Sequence, residues 1–362
     1  MNKDIHHKKI LIAPLDWGLG HATRCIVIIR DLQTLNCDIT VAATGKIKNL
    51  LQNEFPNLDF LDLPGYTISY SKSKRTLPFK ILTQIPKILK IIRFEHTWLQ
   101  EVFKTKKFDA VISDNRFGFY TKYCTSVFIT HQLHIKTNSA WLDNPLQRLN
   151  YRFINRFNEC WIPDFENNLN ISGELSHPKV LPGIPVKYLG PLSRFAKSEN
   201  KKVTYKWMAI ISGPEPQRSI FEKKIFEAVS KTNYSSLIVR GLPGETAKHS
   251  FPPNCKVFDH LSTTDMQAAI NSSEFIIGRC GYTTVMEILS LQKKSVLIPT
   301  PGQTEQEYLA RHLLKQNWSY TFNQANDFAI HLQQAESFQY CLPEINTQLH
   351  SSILNAFIDV LQ

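Results

Sequence analysis

Short apolar runs recur along the chain with stretches of helical periodicity between them, and this alternation constrains the fold more than any other feature. The runs predict strands at 10–14, 39–43, 59–63, 110–113, 127–130, 160–162, 207–211, 237–239, 256–258, 275–277 and 295–298. Apolar runs without strict alternation are typical of buried parallel strands in βαβ units. The sequence therefore predicts an α/β protein with two doubly wound, Rossmann-like domains.

The segment 182–202 separates the two series of strands. It is rich in proline and glycine and ends in the polar run AKSENKK, which suits an interdomain connection. We therefore expect domains over 1–196 and 197–362, with the last helix able to pack back on the first domain. Because open α/β sheets bind ligands at the carboxyl ends of their strands, we expect the site in the loops that follow strands, in a cleft between the domains.

Charge and cysteine content narrow the class of protein. The chain has 42 Lys and Arg against 31 Asp and Glu, a formal charge of +11, which favours anionic partners such as nucleotides, nucleic acid or an acidic membrane surface. Its seven cysteines show no CxxC and no metal-ligand spacing, so we expect a reducing cytoplasm and no metal site. The early apolar run ILIAPL is too short for a signal sequence or a membrane span, and no longer run follows.

The first loop after a strand is DWGLGHATR at 16–24. Gly18 and Gly20 would let backbone N–H groups approach an anion at a helix N-terminus. The imidazole of His21 would lie at the same edge, where it can accept a proton from a hydroxyl group or from water. The alternative is that the glycines only form a tight turn and that His21 caps the helix or packs.

Two loops in the second half also run from a strand into a helix, GRCGYTTVME at 278–287 and PTPGQTEQEYLA at 299–310. The first loop offers donors for a diphosphate in Gly281, Thr283 and Thr284. It also offers countercharge in Arg279 and a carboxylate for ribose hydroxyls in Glu287. The second offers side chains that hydrogen-bond sugar hydroxyls, in Gln303, Glu305 and Gln306. The alternative for each is a capped helix with solvated side chains.

Residues 256–310 resemble the C-terminal nucleotide-sugar half of MurG-like glycosyltransferases with the GT-B fold. The shared pattern is a strand ending in R-x-G, then T-V-x-E, then a proline loop followed by Gln-x-x-x-Ala. The stretch GLGH at 18–21 resembles the N-terminal glycine loop of that family. Leu309 stands where the family has Asn, which weakens the case for N-acetylglucosamine as the donor sugar.

The resemblance implies roles for individual residues. The backbone around His260 and Leu261 would meet the uracil ring with Met266 nearby, Gly281, Thr283 and Thr284 would face the diphosphate, and Glu287 would hold the ribose. Gln306, with Glu305, would contact the donor sugar. Ser212 and Gly213 occupy the place of a second glycine loop, in which Pro214 and Pro216 cannot donate N–H groups.

The function implied is an inverting, metal-independent glycosyltransferase that moves a sugar from a UDP-sugar to a hydroxyl acceptor without a cofactor. His21 would be the general base, while helix N-termini, threonine hydroxyls and Arg279 would stabilise the departing diphosphate. Asp114, in ISDNR at a strand end, is a competing base or else an Asx turn or cap. A UDP-sugar hydrolase of a nonulosonic acid pathway stays open, because GLGHATRC also resembles the His loop of MurG-like hydrolases.

Residues 66–94 carry seven basic side chains and no acidic one, interleaved with leucine and isoleucine: Lys72, Lys74, Arg75, Lys80, Lys87, Lys90 and Arg93. A basic amphipathic helix can lie on an anionic bilayer, so we expect a peripheral protein on the inner face of the membrane. This favours an acceptor that is lipid-linked or a cell-envelope glycan. The alternative is a core helix with a solvated basic face. Nucleic acid is the least favoured partner, because aromatic and basic residues do not cluster in one small fold.

Overall fold

The computed structural model describes residues 6–16, 18–65, 77–136, 140–197, 202–242, 251–345 and 350–361. They form two compact units, of which the first contains the described residues up to Leu192 together with the last helix, and the second runs from Ser193 to 345. The division therefore falls after 192, whereas the composition predicts it after 196.

The first unit is built on a seven-stranded parallel sheet of order β3-β2-β1-β4-β5-β6-β7. Its strands are β1 (Lys9–Pro14), β2 (Asp38–Ala43), β3 (Asp59–Asp62), β4 (Ala110–Asp114), β5 (Thr125–Ile129), β6 (Glu159–Ile162) and β7 (Val186–Tyr188). Its helices are α1 (Leu19–Thr34), α2 (Gly45–Glu54), α3 (Leu77–Thr105) and α4 (Ala140–Ile154). Buried side chains of β1, β2, β4 and α3 form one core cluster, and those of β5, β6 and α4 form another.

The second unit repeats this design with a six-stranded parallel sheet of order β10-β9-β8-β11-β12-β13. Its strands are β8 (Tyr205–Ile210), β9 (Ser236–Val239), β10 (Cys255–Phe258), β11 (Ser273–Arg279), β12 (Lys294–Ile298) and β13 (Tyr320–Thr321). Its helices are α5 (Gln217–Val229), α6 (Thr263–Asn271), α7 (Tyr282–Ser290), α8 (Thr304–Lys315) and α9 (Phe328–Ser337). One core cluster joins β8, β9, β11 and β12 to α5 and α9.

The last helix, α10 (His350–Leu361), belongs to the first unit although it follows the second in sequence. It contacts α1, and the Phe357 ring packs edge-on against Trp161 with 4.9 Å between centroids. Asp359 pairs with Lys187 at 3.1 Å. Both contacts join α10 to strands near the β7 edge of the first sheet.

All eleven predicted strands are present, and the α/β class with two Rossmann-like sheets is confirmed. The sequence does not predict β7 or β13, because both are short and only half-buried. β7 lies inside the segment that the composition predicts to be a connection. In each sheet the strand order reverses once, between β1 and β4 and between β8 and β11. Ligands of open α/β sheets bind outside the carboxyl ends of the strands at such reversals.

Candidate active site

His21 and Asp114 meet at the reversal of the first sheet. Pro14, the last residue of β1, is in register with Asp114, the last residue of β4. α1 begins at Leu19, so His21 lies in its first turn and not in a preceding loop as predicted. The His21 Nδ1 atom is 3.1 Å from Asp114 Oδ2. Gly18 is the N-cap of α1, is exposed, and has nothing within 4 Å of the position of a Cβ atom.

Arg24 joins this pair, one helical turn after His21. Its guanidinium donates to both carboxylate oxygens of Asp114, with Nε 3.3 Å from Oδ2 and Nη2 bonded to Oδ1. The same Nη2 lies 3.0 Å from His21 Nδ1, and Nη1 lies 3.4 Å from Nδ1 of the buried His131. Arg24 and Asp114 are both essentially inaccessible to solvent, whereas the His21 side chain is 17% exposed.

These contacts set the protonation state of the Asp114 carboxyl group. Burial would raise the pKa of Asp114, but the charge of Arg24 and the neighbouring His21 outweigh it and lower the pKa to about 2. Asp114 is therefore a carboxylate that can only accept hydrogen bonds. In the tautomer with its proton on Nδ1, His21 donates to this carboxylate and Nε2 keeps its lone pair. The arrangement suits His21 as a proton acceptor.

The prediction that Asp114 competes as the base is wrong. Asp114 is fully buried and its oxygens bond to Arg24 and His21, so it has no access to a substrate hydroxyl. Its low pKa also makes it a poor proton acceptor at neutral pH. Asp114 instead lies against the Nδ1 side of the His21 imidazole.

In the second unit, α7 begins three residues after the end of β11. Gly281 is the N-cap, and no side chain caps the helix. Thr283 and Thr284 lie in the first turn and are half-buried. Ser212 and Gly213 follow β8 after one intervening residue, and Gly213 has a φ of 114° with open space around the position of a Cβ atom. Uncapped N–H groups at a helix start are an ordinary anion-binding feature.

Arg279, which the sequence predicts to supply countercharge for the diphosphate, is buried inside the second unit. Arg279 ends β11 and is 2% exposed. Its guanidinium lies 4.1 Å from the centroid of the Phe221 ring and bonds to the carbonyl oxygen of Gln217 and to the amide oxygen of Gln324. A strand residue at this position points into the layer between sheet and helix, so burial removes it from the surface that a ligand reaches.

Glu287 pairs with Arg194, a residue that the sequence analysis does not identify. The Arg194 Nε atom donates to Glu287 Oε1 at 2.8 Å, and both side chains are about one-tenth exposed. Burial raises the pKa of Glu287, opposed by the charge of Arg194. Arg194 lies in the proline- and glycine-rich segment before β8, where no periodic pattern marks it.

Side chains of residues 303 and 306 form hydrogen bonds within the loop before α8. Gln306 Oε1 accepts from the N–H of Thr300 at 2.8 Å, and Gln306 Nε2 donates to Gln303 Oε1. A Cβ atom at Gly281 would lie 3.9 Å from Gln306 Nε2, so this loop and the start of α7 are neighbours. Glu305 is half-buried in the first turn of α8. Two of the predicted sugar-binding stretches are thus brought together.

The predicted uracil-binding residues lie between β10 and α6. His260 is exposed, and partial burial and the charge of Arg194 lower its pKa. Leu261 is half-buried, and Ser262 caps α6 by accepting from the N–H of Asp265 at 3.1 Å. Met266 is buried in α6, so it belongs to the core under this loop and is not on its surface.

Of the basic segment, Lys87, Lys90 and Arg93 are exposed on α3. Lys72, Lys74 and Arg75 lie outside the described residues, as does the side chain of Lys80. No described helix combines the length and apolar character that crossing a membrane requires. Within the described ranges, no group of three or more His, Cys, Asp or Glu side chains is placed to hold a metal ion.

Comparison with known proteins bears on both units. Residues 218–336 match the glycosyltransferase family 28 C-terminal domain. An uncharacterized glycosyltransferase of Methanosarcina mazei is 24% identical over 83% of this chain and 81% of its own length. The UDP-N-acetylglucosamine–N-acetylmuramyl-(pentapeptide) pyrophosphoryl-undecaprenol N-acetylglucosamine transferase of Bacillus pumilus is 25% identical over 88% of this chain and 84% of its own.

The crystal structure of Acinetobacter baumannii MurG has the same fold, with a TM-score of 0.54 at 14% identity over 98% of this chain and 99% of that chain. The strand orders, the family 28 domain of the second unit and the relatives that span most of the chain agree with one another. The chain is therefore a glycosyltransferase with the GT-B fold that is similar to MurG over most of its length, and its second unit carries the family 28 C-terminal domain.

Proposed function

We propose that this enzyme transfers a sugar from a UDP-sugar to an acceptor hydroxyl, with inversion at the anomeric carbon and without a metal ion or cofactor. The observation that carries the proposal is the ordered group of His21, Asp114 and Arg24 at the reversal of the first sheet. It supplies an oriented proton acceptor in a family of sugar-transferring enzymes.

The first unit supplies the base. His21 Nε2 takes the proton of the acceptor hydroxyl while the acceptor oxygen forms a bond to the anomeric carbon. The bond between that carbon and the β-phosphate oxygen breaks, and UDP leaves with the bonding electron pair. Asp114 stabilises the imidazolium that forms, because its carboxylate already accepts from Nδ1.

The second unit binds the donor. N–H groups at the start of α7 and the hydroxyls of Thr283 and Thr284 hold the diphosphate and stabilise its growing charge. Glu287 uses its second carboxylate oxygen for the ribose hydroxyls while Oε1 stays bonded to Arg194. Gln306, which lies beside Gly281, holds the donor sugar.

The acceptor is a lipid-linked or cell-envelope molecule, and the enzyme works as a peripheral protein on the cytoplasmic side of the membrane. Support comes from the exposed Lys87, Lys90 and Arg93 on α3 and from the Bacillus pumilus relative, whose name gives an undecaprenol-linked acceptor. Each basic residue near an anionic bilayer contributes about 1 kcal/mol.

The test begins with calorimetric titration of UDP, with TDP and GDP as controls, into the wild type and Glu287→Ala. We expect UDP to bind best and Glu287→Ala to bind it at least tenfold more weakly. A panel of UDP-sugars is then incubated with membrane lipid extract, and UDP, free sugar and glycosylated lipid are measured for the wild type and His21→Ala.

Transfer to the lipid that is lost in His21→Ala supports the proposal. Release of free sugar at the same rate with and without extract would make the enzyme a hydrolase. Equal binding of UDP and GDP, unaffected by Glu287→Ala, would refute the donor assignment.

A further inference from the structure

Arg24 and Asp114 place opposite charges beside the same nitrogen of His21. The Arg24 Nη2 atom lies 3.0 Å from His21 Nδ1, and the Asp114 Oδ2 atom lies 3.1 Å from it. Both charged side chains are at most 1% exposed, so solvent screens them little. A cation and an anion therefore act on the imidazole from nearly equal distances.

The guanidinium of Arg24 is held in this place by contacts from two other elements. Its Nε and Nη2 atoms donate to the two oxygens of Asp114, which ends β4. Its Nη1 atom lies 3.4 Å from Nδ1 of His131, in the loop that follows β5. Because arginine only donates hydrogen bonds, this contact favours a lone pair on His131 Nδ1 and hence a neutral ring. The helix, the strand and the loop together fix where the cation lies.

Two further titratable groups lie at this end of the first sheet. The Cys25 Sγ atom is 3.9 Å from Asp114 Oδ2, and burial together with the charge of Asp114 raises the pKa of Cys25, so the thiol stays neutral. Asp16, in the loop before α1, lies 3.9 Å from the buried Arg116. Of the charged side chains in the described part of the first unit, Arg24 and Asp114 are the two that form hydrogen bonds with the His21 ring.

The two charges have opposite effects on the protonation of an imidazole. A carboxylate next to histidine favours the imidazolium form, and a cation favours the neutral form. An imidazolium has no lone pair and cannot take a proton from an acceptor hydroxyl. Asp114 by itself would therefore orient the His21 ring and at the same time protonate the nitrogen that the proposed reaction needs. Arg24 opposes the second effect.

We propose that Arg24 offsets the charge of Asp114 at His21 and so keeps the imidazole neutral, and able to accept a proton, at neutral pH. The inference rests on the proposed function, in which His21 is the general base. Arg24 is then a positioning residue that acts through His21. A unit charge about 5 Å away, at an effective dielectric constant of about 20, changes a protonation equilibrium by about 100-fold, and partial screening leaves at least about tenfold.

Three variants separate the two charges. Arg24→Gln removes the cation and leaves the carboxylate, Asp114→Asn leaves the cation, and the double variant removes both. Arg30→Gln is the matched control, because Arg30 is exposed on the same helix, pairs with Glu54 and gives the same change in net charge as Arg24→Gln. Thermal unfolding checks that each variant is folded.

The measurement follows the protonation of His21 itself. Protein labelled with 15N-histidine is titrated by NMR from about pH 5 to about pH 9, and the His21 ring signals are identified as those absent from His21→Ala. This titration needs no substrate. The pH dependence of kcat/KM for UDP release from the UDP-sugar is the second measurement, because its acidic limb reports the base of the free enzyme.

We expect the midpoint of the His21 titration to rise by at least about one pH unit in Arg24→Gln and to fall by a similar amount in Asp114→Asn. The double variant should stay within about half a unit of the wild type, because both charges are gone. Arg30→Gln should stay equally close, because exposed charges are screened. The acidic limb of kcat/KM should move with the midpoint.

A smaller rise in a folded Arg24→Gln protein would make Arg24 only a structural counter-ion of Asp114. Should Arg24→Gln not fold, the double variant and Asp114→Asn differ only at residue 24, and equal midpoints in these two would overturn the inference. Titration shifts without sugar transfer by the wild type would refute the proposed function. Sugar transfer by the wild type without the shifts would overturn this inference alone.

Discussion

His21 contacts two neighbours, Asp114 and Arg24, that are buried. Asp114 holds its Nδ1 atom, and Arg24 keeps Asp114 ionised and in place. Arg24 is three positions after His21, which places both on one face of α1. This spacing is the signal by which the sequence could have identified Arg24, once the helix is known to begin at Leu19.

Asp114→Asn should lower kcat about 100-fold or more while the donor KM changes less than threefold. The amide can hold His21 in the wrong tautomer and cannot stabilise an imidazolium. Initial rates of UDP release over a range of donor concentrations measure this. Asp109→Asn is the control, since Asp109 bonds to Lys8 and Lys9 before the start of β4. A loss of kcat below fivefold would show that orientation by Asp114 is not needed.

The same carboxylate should make stability depend on pH. Its pKa in the folded protein, about 2, lies below the ordinary value near 4, so its stabilising contribution is present above pH 4 and is lost as the pH falls towards 2. The free energy of unfolding of the wild type should exceed that of Asp114→Asn by about 2 kcal/mol more at pH 5 than at pH 2. Urea titrations of both proteins at each pH measure it, and a constant difference would contradict it.

At the scale of elements, α3 is anchored to the loop that follows β4. Glu95 of α3 accepts from Arg116 and from the N–H of Gly118 at 3.1 Å. The loop approaches so closely that a Cβ atom at Gly118 would lie 2.1 Å from the carbonyl oxygen of Ile92. The helix that carries the exposed basic residues is thus held next to the loop that follows Asp114.

Gly118→Ala should therefore destabilise the protein by about 2–3 kcal/mol, because backbone must move to admit the methyl group. Gly18→Ala is the matched control, since a Cβ atom there meets nothing within 4 Å. Urea unfolding followed by circular dichroism measures both. Equal stabilities for the two variants would show that the loop can shift away from α3 at no cost.

In the proposed function, membrane binding depends on the exposed basic residues of α3. The triple change of Lys87, Lys90 and Arg93 to Gln should weaken binding to phosphatidylglycerol vesicles about 100-fold at 0.1 M salt, because each basic residue contributes about 1 kcal/mol. The control triple changes Lys231, Arg311 and Lys315, which are exposed in the second unit. Vesicle sedimentation gives both affinities, and equal losses would assign the binding to net charge and not to α3.

At the scale of the whole molecule, the chain returns to its first unit at the end. Phe357 is 1% exposed and packs on Trp161, so α10 completes the core beside β6. Phe357→Ala should cost about 3 kcal/mol, with the loss concentrated in the first unit. Hydrogen exchange by mass spectrometry should show it as faster exchange in peptides of β5, β6 and β7. An effect confined to residues 193–345 would contradict the placement of α10.

Periodicity of apolar residues is a local property, and it was enough to predict eleven strands, the two Rossmann-like domains and the loops that follow β1, β11 and β12. The short strands β7 and β13 were not predicted, because half-buried segments of two or three residues carry little hydrophobic periodicity. The division after 192 and the return of α10 depend on contacts between distant parts of the chain. Composition alone does not predict these long-range contacts.

For the candidate site, too, the sequence predicts local features but not long-range contacts. Residue type and spacing identified His21 as a candidate base and the glycine and threonine residues at helix starts as candidate donors, because these are features of single loops. Other features of the site join distant residues: Arg24 pairs with Asp114, 90 positions away, and Arg194 pairs with Glu287, 93 positions away. Arg279 is buried among several elements and bonds to Gln324, 45 positions away. The sequence by itself determined which chemical groups are present and which strand ends they follow. Only the tertiary structure decided which charges face each other and which face solvent, because burial and pairing arise from the packing of segments that are remote in the chain.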